Sequence, residues 1–453
     1  MNETLKRSWW REPLLWFAIV FVPLWIMLIV GWVNGEALID RVPVLSLGIL
    51  DTIMVFAVIT TCFWLVLALL LRMSGRTRMM GLAGLFVTIG AAIFVLPQFF
   101  EFDMDGDVRP LGFRLKQASG SLPIEVEGEI APLQVSSSSF TQFLGPNRDL
   151  TVPWLDIGQE ARAVDCPVVW RRPVGAGWSG FAAVDGLAFT MEQHGNREVV
   201  VAYRVADGKR VWIHEAIRRH FHPAGGTGPR STPTFHDNRL YTLGAIGNLV
   251  CLKANTGEVL WERDLLAEFN IPVVVSNPNS DSRTDVEQSN VLWGRAASPL
   301  IVGDLVVVPV GGPTDGPQVT LAAFDRVSGE LRWKGGKRAI SYGSPTVVTL
   351  HGQPQIVLTT EDHVCGFDPT NGEELWNHSR PGRSNGDANT SQPIAVSDDQ
   401  LLVTKEYGMG GELLQLNRNA DGKWSVESLW RNPRVLKTKF TIAAVRNEYA
   451  YAI

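Results

Sequence analysis

The chain has 453 residues and a formal net charge of −5, from 41 basic and 46 acidic side chains. That balance leaves no basic footprint, so nucleic acid is excluded as a partner on charge. Apolar residues make up 45%, an ordinary share for a folded protein, so their placement carries the information.

Residues 1–12 hold Lys6, Arg7 and Arg11 and read as a cytoplasmic N-terminus. Three apolar runs follow: 13–33 without a charge, 49–71 with only Asp51 near its start, and 79–100 again without a charge. Each reaches the roughly 20 residues that cross a bilayer core of about 30 Å. A cleaved signal peptide would account for the first run alone, but no small-residue cleavage site follows it and two more runs do. Three transmembrane helices are therefore predicted. Arg72, Arg76 and Arg78 fill the second loop, whereas Arg41 in the first is offset by Glu36 and Asp40. Glu101, Asp103, Asp105 and Asp107 come after the third run. The positive-inside tendency puts the N-terminus in the cytoplasm and all that follows the third span on the periplasmic or extracytoplasmic side of the inner membrane.

Residues 101–164 read as an extracytoplasmic linker. The segment holds Gly, Pro and Val135-Ser-Ser-Ser-Ser139 with little periodicity, so partial disorder is expected, with a short strand around 124–126.

Beyond residue 165 a unit repeats. It reads Ala202-Tyr-Arg-Val-Ala-Asp-Gly-Lys-Arg-Val-Trp212, then Cys251-Leu-Lys-Ala-Asn-Thr-Gly-Glu-Val-Leu-Trp261. The third and fourth copies are Ala323-Phe-Asp-Arg-Val-Ser-Gly-Glu-Leu-Arg-Trp333 and Gly366-Phe-Asp-Pro-Thr-Asn-Gly-Glu-Glu-Leu-Trp376. An alternating strand enters a turn whose glycine accepts positive φ, and the returning strand carries the tryptophan on a fixed face. A second hairpin precedes each copy, giving four strands per unit of roughly 40–50 residues, the dimension of a propeller blade. Hairpins opening near Phe181, Thr232, Ser298, Ser344 and Gln392 give five units. The fifth ends near Trp430 after an enlarged turn, Asn419-Ala-Asp-Gly422, and a sixth opens at Phe440 with two strands. Val168-Val-Trp-Arg-Arg172 reads as an outer strand with no blade before it, suited to closing a blade whose inner strands come from the other end. The expected fold class is all-β: a β-propeller over 165–453, preceded by three transmembrane α-helices. Six or more blades of four antiparallel strands are expected, or seven or eight if the chain is truncated, as an ending on an apolar strand in mid-blade suggests.

The consensus Ala-x-Asp-x-x-Thr-Gly-x-x-x-Trp, kept at Ala323, Asp325, Gly329 and Trp333 with Ser328 for Thr, is similar to the tryptophan-docking motif of the pyrroloquinoline quinone (PQQ) dehydrogenase-like propellers. That superfamily includes the propeller subunit of the outer-membrane barrel assembly machinery. Leu144-Gly-Pro-Asn-Arg-Asp149 resembles the start of such domains in planctomycete-type proteins. The resemblance implies a quinoprotein-like propeller in which Trp212, Trp261, Trp333 and Trp376 join blade to blade. Quinone-dependent members hold PQQ between a Trp floor and a disulfide of adjacent cysteines, beside calcium and an Asp base. The four cysteines, Cys62, Cys166, Cys251 and Cys365, include no adjacent pair. Membrane-bound glucose dehydrogenases do combine a multi-helix anchor with such a propeller. Two functions are thus implied. The leading one is a membrane-anchored extracytoplasmic binding or scaffold module for a protein or small ligand. The alternative is a dehydrogenase using PQQ and calcium to oxidise an alcohol or sugar, passing electrons to membrane quinone.

Any site would lie on the loops that enter the innermost strands, which face the central channel. Those loops and adjoining strand ends supply Trp178, Glu192, Arg230, Trp293, Arg295, Tyr342, Asp387, Asn389 and Lys439. Aromatic, cationic and amide groups at matching places suit an anionic or polyol ligand. The competing reading is that they close the channel and hydrogen-bond neighbouring blades. His220-x-His222 is only half a metal site, and the polar stretch 277–290 lacks the glycine and terminal Glu of a calcium loop, so no metal or catalytic residue is assigned. Cys251 and Cys365 are expected as buried packing thiols.

Overall fold

In the computed structural model the described residues are 100–104, 110–115, 125, 130–152, 167–222, 225–280, 283–447 and 449–452. The chain divides into two compact units, Met1–Lys116 and Gln117–Ile453. The three predicted membrane spans lie outside the described residues, and no helix among the described residues is long and apolar enough to cross a membrane. In the first unit β1 (Phe100–Met104) pairs antiparallel with β2 (Pro110–Leu115). This hairpin replaces the structureless start expected of the linker, and Phe100 belongs to it.

The second unit is all-β apart from one short helix among the described residues. Its first four-stranded sheet is β3 (Ala182–Val184), β4 (Leu187–His194), β5 (Arg197–Arg204) and β6 (Arg210–Ala216). The two-residue strands β7 (Phe221–His222) and β8 (Gly226–Thr227) lead to the second sheet. That sheet is β9 (Thr234–His236), β10 (Arg239–Leu243), β11 (Asn248–Lys253) and β12 (Val259–Asp264). Helix α1 (Leu265–Glu268) follows, its first turn capped by the Asp264 carboxylate, and then the hairpin β13 (Val273–Ser276) and β14 (Thr284–Glu287). This hairpin occupies much of the stretch read from the sequence as an insertion loop.

The third sheet is β15 (Leu300–Val302), β16 (Leu305–Gly311), β17 (Val319–Asp325) and β18 (Leu331–Gly335). The fourth is β19 (Thr346–Leu350), β20 (Gln353–Thr359), β21 (His363–Phe367) and β22 (Glu374–Ser379). The fifth is β23 (Ile394–Ala395), β24 (Gln400–Lys405), β25 (Gly410–Arg418) and β26 (Trp424–Asn432). A last pair, β27 (Ala444–Arg446) and β28 (Tyr449–Tyr451), forms a two-stranded sheet. Each four-stranded sheet is an up-and-down meander in chain order, the blade of a β-propeller, and the five blades open where the sequence pattern placed them.

Neighbouring blades share cores of β-branched and aromatic side chains. Phe189, Trp212, Phe235 and Val250 make one between blades 1 and 2, and Tyr241, Trp261, Val308 and Phe324 one between blades 2 and 3. At the rim a single contact recurs. Indole Nε1 of Trp212 donates to Ala254 O at 2.9 Å, that of Trp261 to Arg326 O at 3.2 Å, and that of Trp333 to Pro369 O at 3.1 Å. Each acceptor lies three residues before the turn glycine of the next blade, and each ring lies flat over that glycine, at Gly257, Gly329 and Gly372. Trp170 repeats the arrangement on blade 1: its Nε1 donates to Val205 O at 2.7 Å and its ring covers Gly208. The segment around Trp170 therefore sits where the outer strand of a preceding blade belongs. Covering a Trp removes about 150–250 Å² from water, worth on the order of 4–5 kcal/mol at each interface.

Trp376 departs from the rule. Its ring is buried in the core between blades 4 and 5, but Nε1 donates to Gln355 Oε1 of its own blade at 2.6 Å. The glycine of the enlarged blade 5 turn, Gly422, does not lie under its ring. Instead Arg380 Nη1 pairs with Glu412 Oε2 at 2.5 Å, and His378 Nε2 lies 3.0 Å from Glu412 Oε1.

Residues 130–152 pack on the propeller instead of spanning free space. Leu133 N donates to Asn238 Oδ1, Phe140 bridges Ala183, and Thr141 O accepts from Phe235 N. Further on, Arg148 Nη1 and Nη2 donate to Pro299 O and Ser298 O, while Arg148 O accepts from Gln392 Nε2. The segment thus runs along the inner strands from their hairpin-turn end to their entry end, tying blades 1, 2, 3 and 5 together. Tertiary hydrogen bonds satisfy its irregular backbone, which is why no periodicity announced it.

Gly329 and Gly352 share a φ of +73°, but a Cβ at Gly329 would meet the Trp261 ring at 2.6 Å whereas one at Gly352 meets nothing within 4 Å. Both Gly→Ala variants bear the left-handed penalty of about 1 kcal/mol. Only Gly329→Ala should lose a further 1–3 kcal/mol, roughly, from overpacking. Equilibrium denaturation of the pair checks this, and equal losses would mean the indole contact contributes nothing.

Candidate functional site

The inner strands are joined to one another where they begin. Ser179 Oγ donates to Ser231 O, Thr232 N to Ser298 Oγ, and Ser298 N to Ser344 Oγ, at 2.7–2.9 Å. Thr359 Oγ1 then donates to Ser391 O, and Ser391 Oγ bonds Thr438 Oγ1 at 2.6 Å. A short hydroxyl at each inner-strand start reaches the neighbouring backbone without filling the channel. The entry loops are held in a fixed arrangement as a result.

Three of the nine candidate side chains form one group. The Trp293 ring stacks on Tyr342 with centroids 5.6 Å apart and planes 15° off parallel, and His222 lies 6.3 Å beyond Trp293. Trp293 N donates to Tyr342 Oη at 3.2 Å. Arg230 braces the loop beside them by donating to the carbonyls of Gly225, Gly226 and Gly228. Burial brings its guanidinium down to about 10, and its charge helps burial hold His220 and His222 below the ordinary histidine value. Burial pushes the Tyr342 phenol up, so it stays a neutral donor. The result is a row of three neutral rings beside one cation.

A second group gathers at the entries of blades 5 and 6. Lys439 Nζ lies 5.0 Å from the Tyr407 ring centroid and 5.6 Å from Phe440. Lys405 Nζ lies 6.0 Å from Tyr407 and 3.7 Å from Asp387 Oδ2, and donates to Pro381 O. Lys405 and Tyr407 were missed in the sequence because they lie at the end of strand β24 and in the turn after it, away from the motif. On blade 1 the Trp178 side chain is 51% exposed and Phe181 is 48% exposed. Both stand on the entry loop.

The structure gives Glu192, Arg295 and Asn389 other work. Glu192 Oε2 accepts from Gly175 N and lies 2.7 Å from His194 Nε2, while Oε1 accepts from Tyr203 Oη at 2.5 Å. Burial pushes this carboxyl up, but the three hydrogen bonds outweigh it and leave it below the usual range. Arg295 is clasped by both oxygens of Glu287 at 2.7 and 3.0 Å and donates to Pro309 O. Asn389 Nδ2 donates to Thr360 O and Glu361 O. All three are held by bonds within the fold, and of them only Asn389 reaches an adjacent blade, so the nine candidates do not converge on one site.

The donors that a PQQ–calcium site requires are not at hand among the described residues. No three His, Cys, Asp or Glu side chains converge there. The Glu192 carboxylate is saturated by protein donors and the Asn389 amide points its nitrogen at carbonyls. Cys251 and Cys365 are free, buried in different blades and pushed up by that burial. The Arg148 guanidinium also lies buried among the inner-strand starts, brought down to about 9 by burial, with Ser298 O and Pro299 O as acceptors. These residues do not fit the quinone and its cation.

A family described as outer membrane protein assembly factor BamB matches residues 196–451. No curated relative matches the chain. Similar solved structures include BamB from Moraxella catarrhalis, 16% identical, covering 59% of this chain and 64% of that one with a TM-score of 0.36. Another is the quinohemoprotein alcohol dehydrogenase ADHIIG from Pseudomonas putida HK5, 14% identical, covering 57% and 43% with a TM-score of 0.37. The quinohemoprotein alcohol dehydrogenase from Comamonas testosteroni is 13% identical, covering 55% and 46% with a TM-score of 0.36. This chain spans less than two thirds of each.

One buried acid next to the site makes stability depend on pH. Glu198 Oε2 accepts from Ala245 N at 3.1 Å, joining blades 1 and 2, and burial pushes its carboxyl up to about 7. An unfolded glutamate releases its proton near 4.5. Across that window the folded state holds a proton that the unfolded state has lost, so stability falls as pH rises and levels off above about 7. The full loss is of order 3 kcal/mol. Glu198→Gln should flatten this fall in denaturation curves taken from pH 5 to 8; an unchanged slope would assign the proton elsewhere.

Proposed function

Because the chain belongs to the outer membrane protein assembly factor BamB family of PQQ-like propellers, we propose that it is a membrane-anchored extracytoplasmic binding or scaffold module. In this reading 13–33, 49–71 and 79–100 are the anchoring helices of a multi-pass inner-membrane protein, and the propeller closes with six or more blades. The reading of the anchor is supported by three runs of bilayer length and by an excess of basic residues in the N-terminus and second loop over the first loop, where Arg41 is offset by Glu36 and Asp40. The entry-loop face takes a protein or small ligand.

One observation carries the binding reading. The buried polar groups of the inner strands, Glu192, Arg295 and Asn389, are consumed by internal bonds. Trp178, Phe181 and Phe440 meanwhile remain exposed on the entry loops. A rigid face bearing exposed aromatics suits recognition of a partner surface. General acid–base work needs a titratable group left free to move a proton, and the Glu192 carboxylate, held by three internal donors, is not. The family's description as an assembly factor favours a protein partner.

Three experiments test this. Reporter fusions after residues 40, 75 and 116 should be active outside, inside and outside the membrane respectively; any other order removes the anchor topology. Titrating the purified chain with PQQ and calcium should give no quinone spectrum and no dye-linked alcohol oxidation. A photo-crosslinker at Trp178 should capture one discrete protein where the same group at rim residue Val327 captures none. A quinone spectrum with turnover would replace the binding reading by the dehydrogenase one.

A further inference from the structure

Arg230 carries a charge that no carboxylate answers. Its guanidinium donates to the carbonyls of Gly225, Gly226 and Gly228 and to nothing else among the described residues. Part of its set of five N–H donors is therefore unused. Arg295 and Arg380, by contrast, are buried against Glu287 and Glu412. The carboxyl whose charge reaches Arg230 is Glu198, and that group is turned to Ala245 N and protonated below about 7. A buried cation held by carbonyls alone keeps much of its desolvation cost, and an anion set against it offsets part of that cost.

The cation is within reach of a ligand, because Arg230 and Trp293 are both partly exposed. They stand at the entries of blades 2 and 3, and Tyr342 at that of blade 4, each a complete four-stranded sheet. A Cβ on Gly225 would meet Arg230 Nη2 at 3.1 Å and Trp293 Cβ at 3.3 Å, so cation and indole flank one bare backbone position. Trp293 N donates to Tyr342 Oη, and the phenol O–H has no acceptor of its own among the described residues. The carboxylates whose charge reaches Tyr342 are engaged elsewhere: Glu287 holds Arg295, and Glu361 accepts from Asn290 Nδ2 and Ser384 N. With His220 and His222 held neutral, Arg230 is the one charge of this group. One cation balances one negative charge. A phosphate ester carries about −1.5 to −2 at pH 7 and would leave an excess beside Glu287 and Glu361. A carboxylate carries a single charge and matches the guanidinium donors in geometry.

We propose that Arg230 and the Tyr342 hydroxyl bind a monocarboxylate whose apolar end lies against Trp293. The inference rests on the entry-loop face being the binding face, and it names the group which that face takes. The carboxylate is either an acidic side chain of the partner protein or a free small acid.

Propionate, its uncharged isostere propionamide and inorganic phosphate serve as probes against the full chain in detergent, at pH 6 and constant ionic strength. Saturation-transfer NMR reads the two organic probes, and phosphate is read by its competition with propionate. Propionate should saturate at roughly 1–10 mM, the range open to so small a ligand. Propionamide and phosphate should bind at least about tenfold more weakly. Arg230→Gln should weaken propionate at least about tenfold and leave propionamide unchanged. Tyr342→Phe, which keeps the ring on Trp293, should weaken propionate about threefold and keeps the test alive if Arg230→Gln does not fold. No saturable propionate binding up to about 100 mM overturns the proposal. So does propionamide or phosphate binding as tightly as propionate, or propionate binding indifferent to both variants. Excess propionate that blocks the crosslink from Trp178 assigns the carboxylate to the partner protein, and propionate binding that leaves the crosslink intact assigns it to a free acid. Loss of the crosslink product with propionate binding intact would sink the protein-partner reading alone, and the reverse would sink this site alone.

Discussion

An indole laid over a glycine of the next blade sets the terms for the rest of this propeller. Four-stranded meanders have two free edges each, and blades that merely abut would slide. The Trp Nε1–H and the backbone carbonyl it meets fix the offset between blades, because a hydrogen bond is directional where apolar contact is not. The glycine is required on two counts at once: φ near +70° and no room for a Cβ beneath the ring. The segment around Trp170, aided by Arg172 donating to Gly208 O, reproduces the geometry.

The rim contact has a counterpart at the channel, where Ser and Thr hydroxyls join successive inner strands. Blades pinned at both edges leave the entry loops little freedom, and the polar side chains between the pins have been drawn into bracing. Glu192, Arg295 and Asn389 each satisfy all or most of their bonding capacity within the fold. Satisfied buried networks rigidify and specify, and they cost heavily if one member is taken for another purpose. The scaffold and the inner polar set are therefore one structure, and the side chains it leaves exposed on the entry loops are Trp178, Phe181 and Phe440.

How far the sequence carried depends on whether a feature has a period. The blade openings at Thr232, Ser298 and Ser344 and the docking of Trp212, Trp261 and Trp333 were legible because the turn glycine and the alternation repeat. The path of 130–152 was not, since Arg148 finds its acceptors some 150 residues away and nothing local marks it. The site divides along the same line. Trp293 and Tyr342 sit at matching loop positions and do stack, while Lys405 and Tyr407 belong to a strand end with no counterpart in the motif. Glu192 was misjudged for a plainer reason: the partners that saturate it, Gly175 and Tyr203, lie on either side of it in the blade, and a strand pattern shows the face of a residue but not its partners.

The junction of blades 4 and 5 shows what the indole contact is worth by doing without it. There the enlarged turn holds Gly422 away from the ring, and the core gains Trp424 and Val426 from long strands together with the Arg380–Glu412–His378 group. A buried ion pair is a poor substitute in energy, because its desolvation offsets most of the attraction. It holds here because Arg380 also donates to Gly410 O and the carboxylate receives a second donor, so that neither charge is left alone. Burial pushes Glu412 up, yet its donors hold it at about 2, which keeps the pair charged through the neutral range. Register at this junction is thus set by charge geometry where elsewhere it is set by an aromatic lid. The two solutions need different strand lengths, and the nine-residue β25 and β26 follow from that.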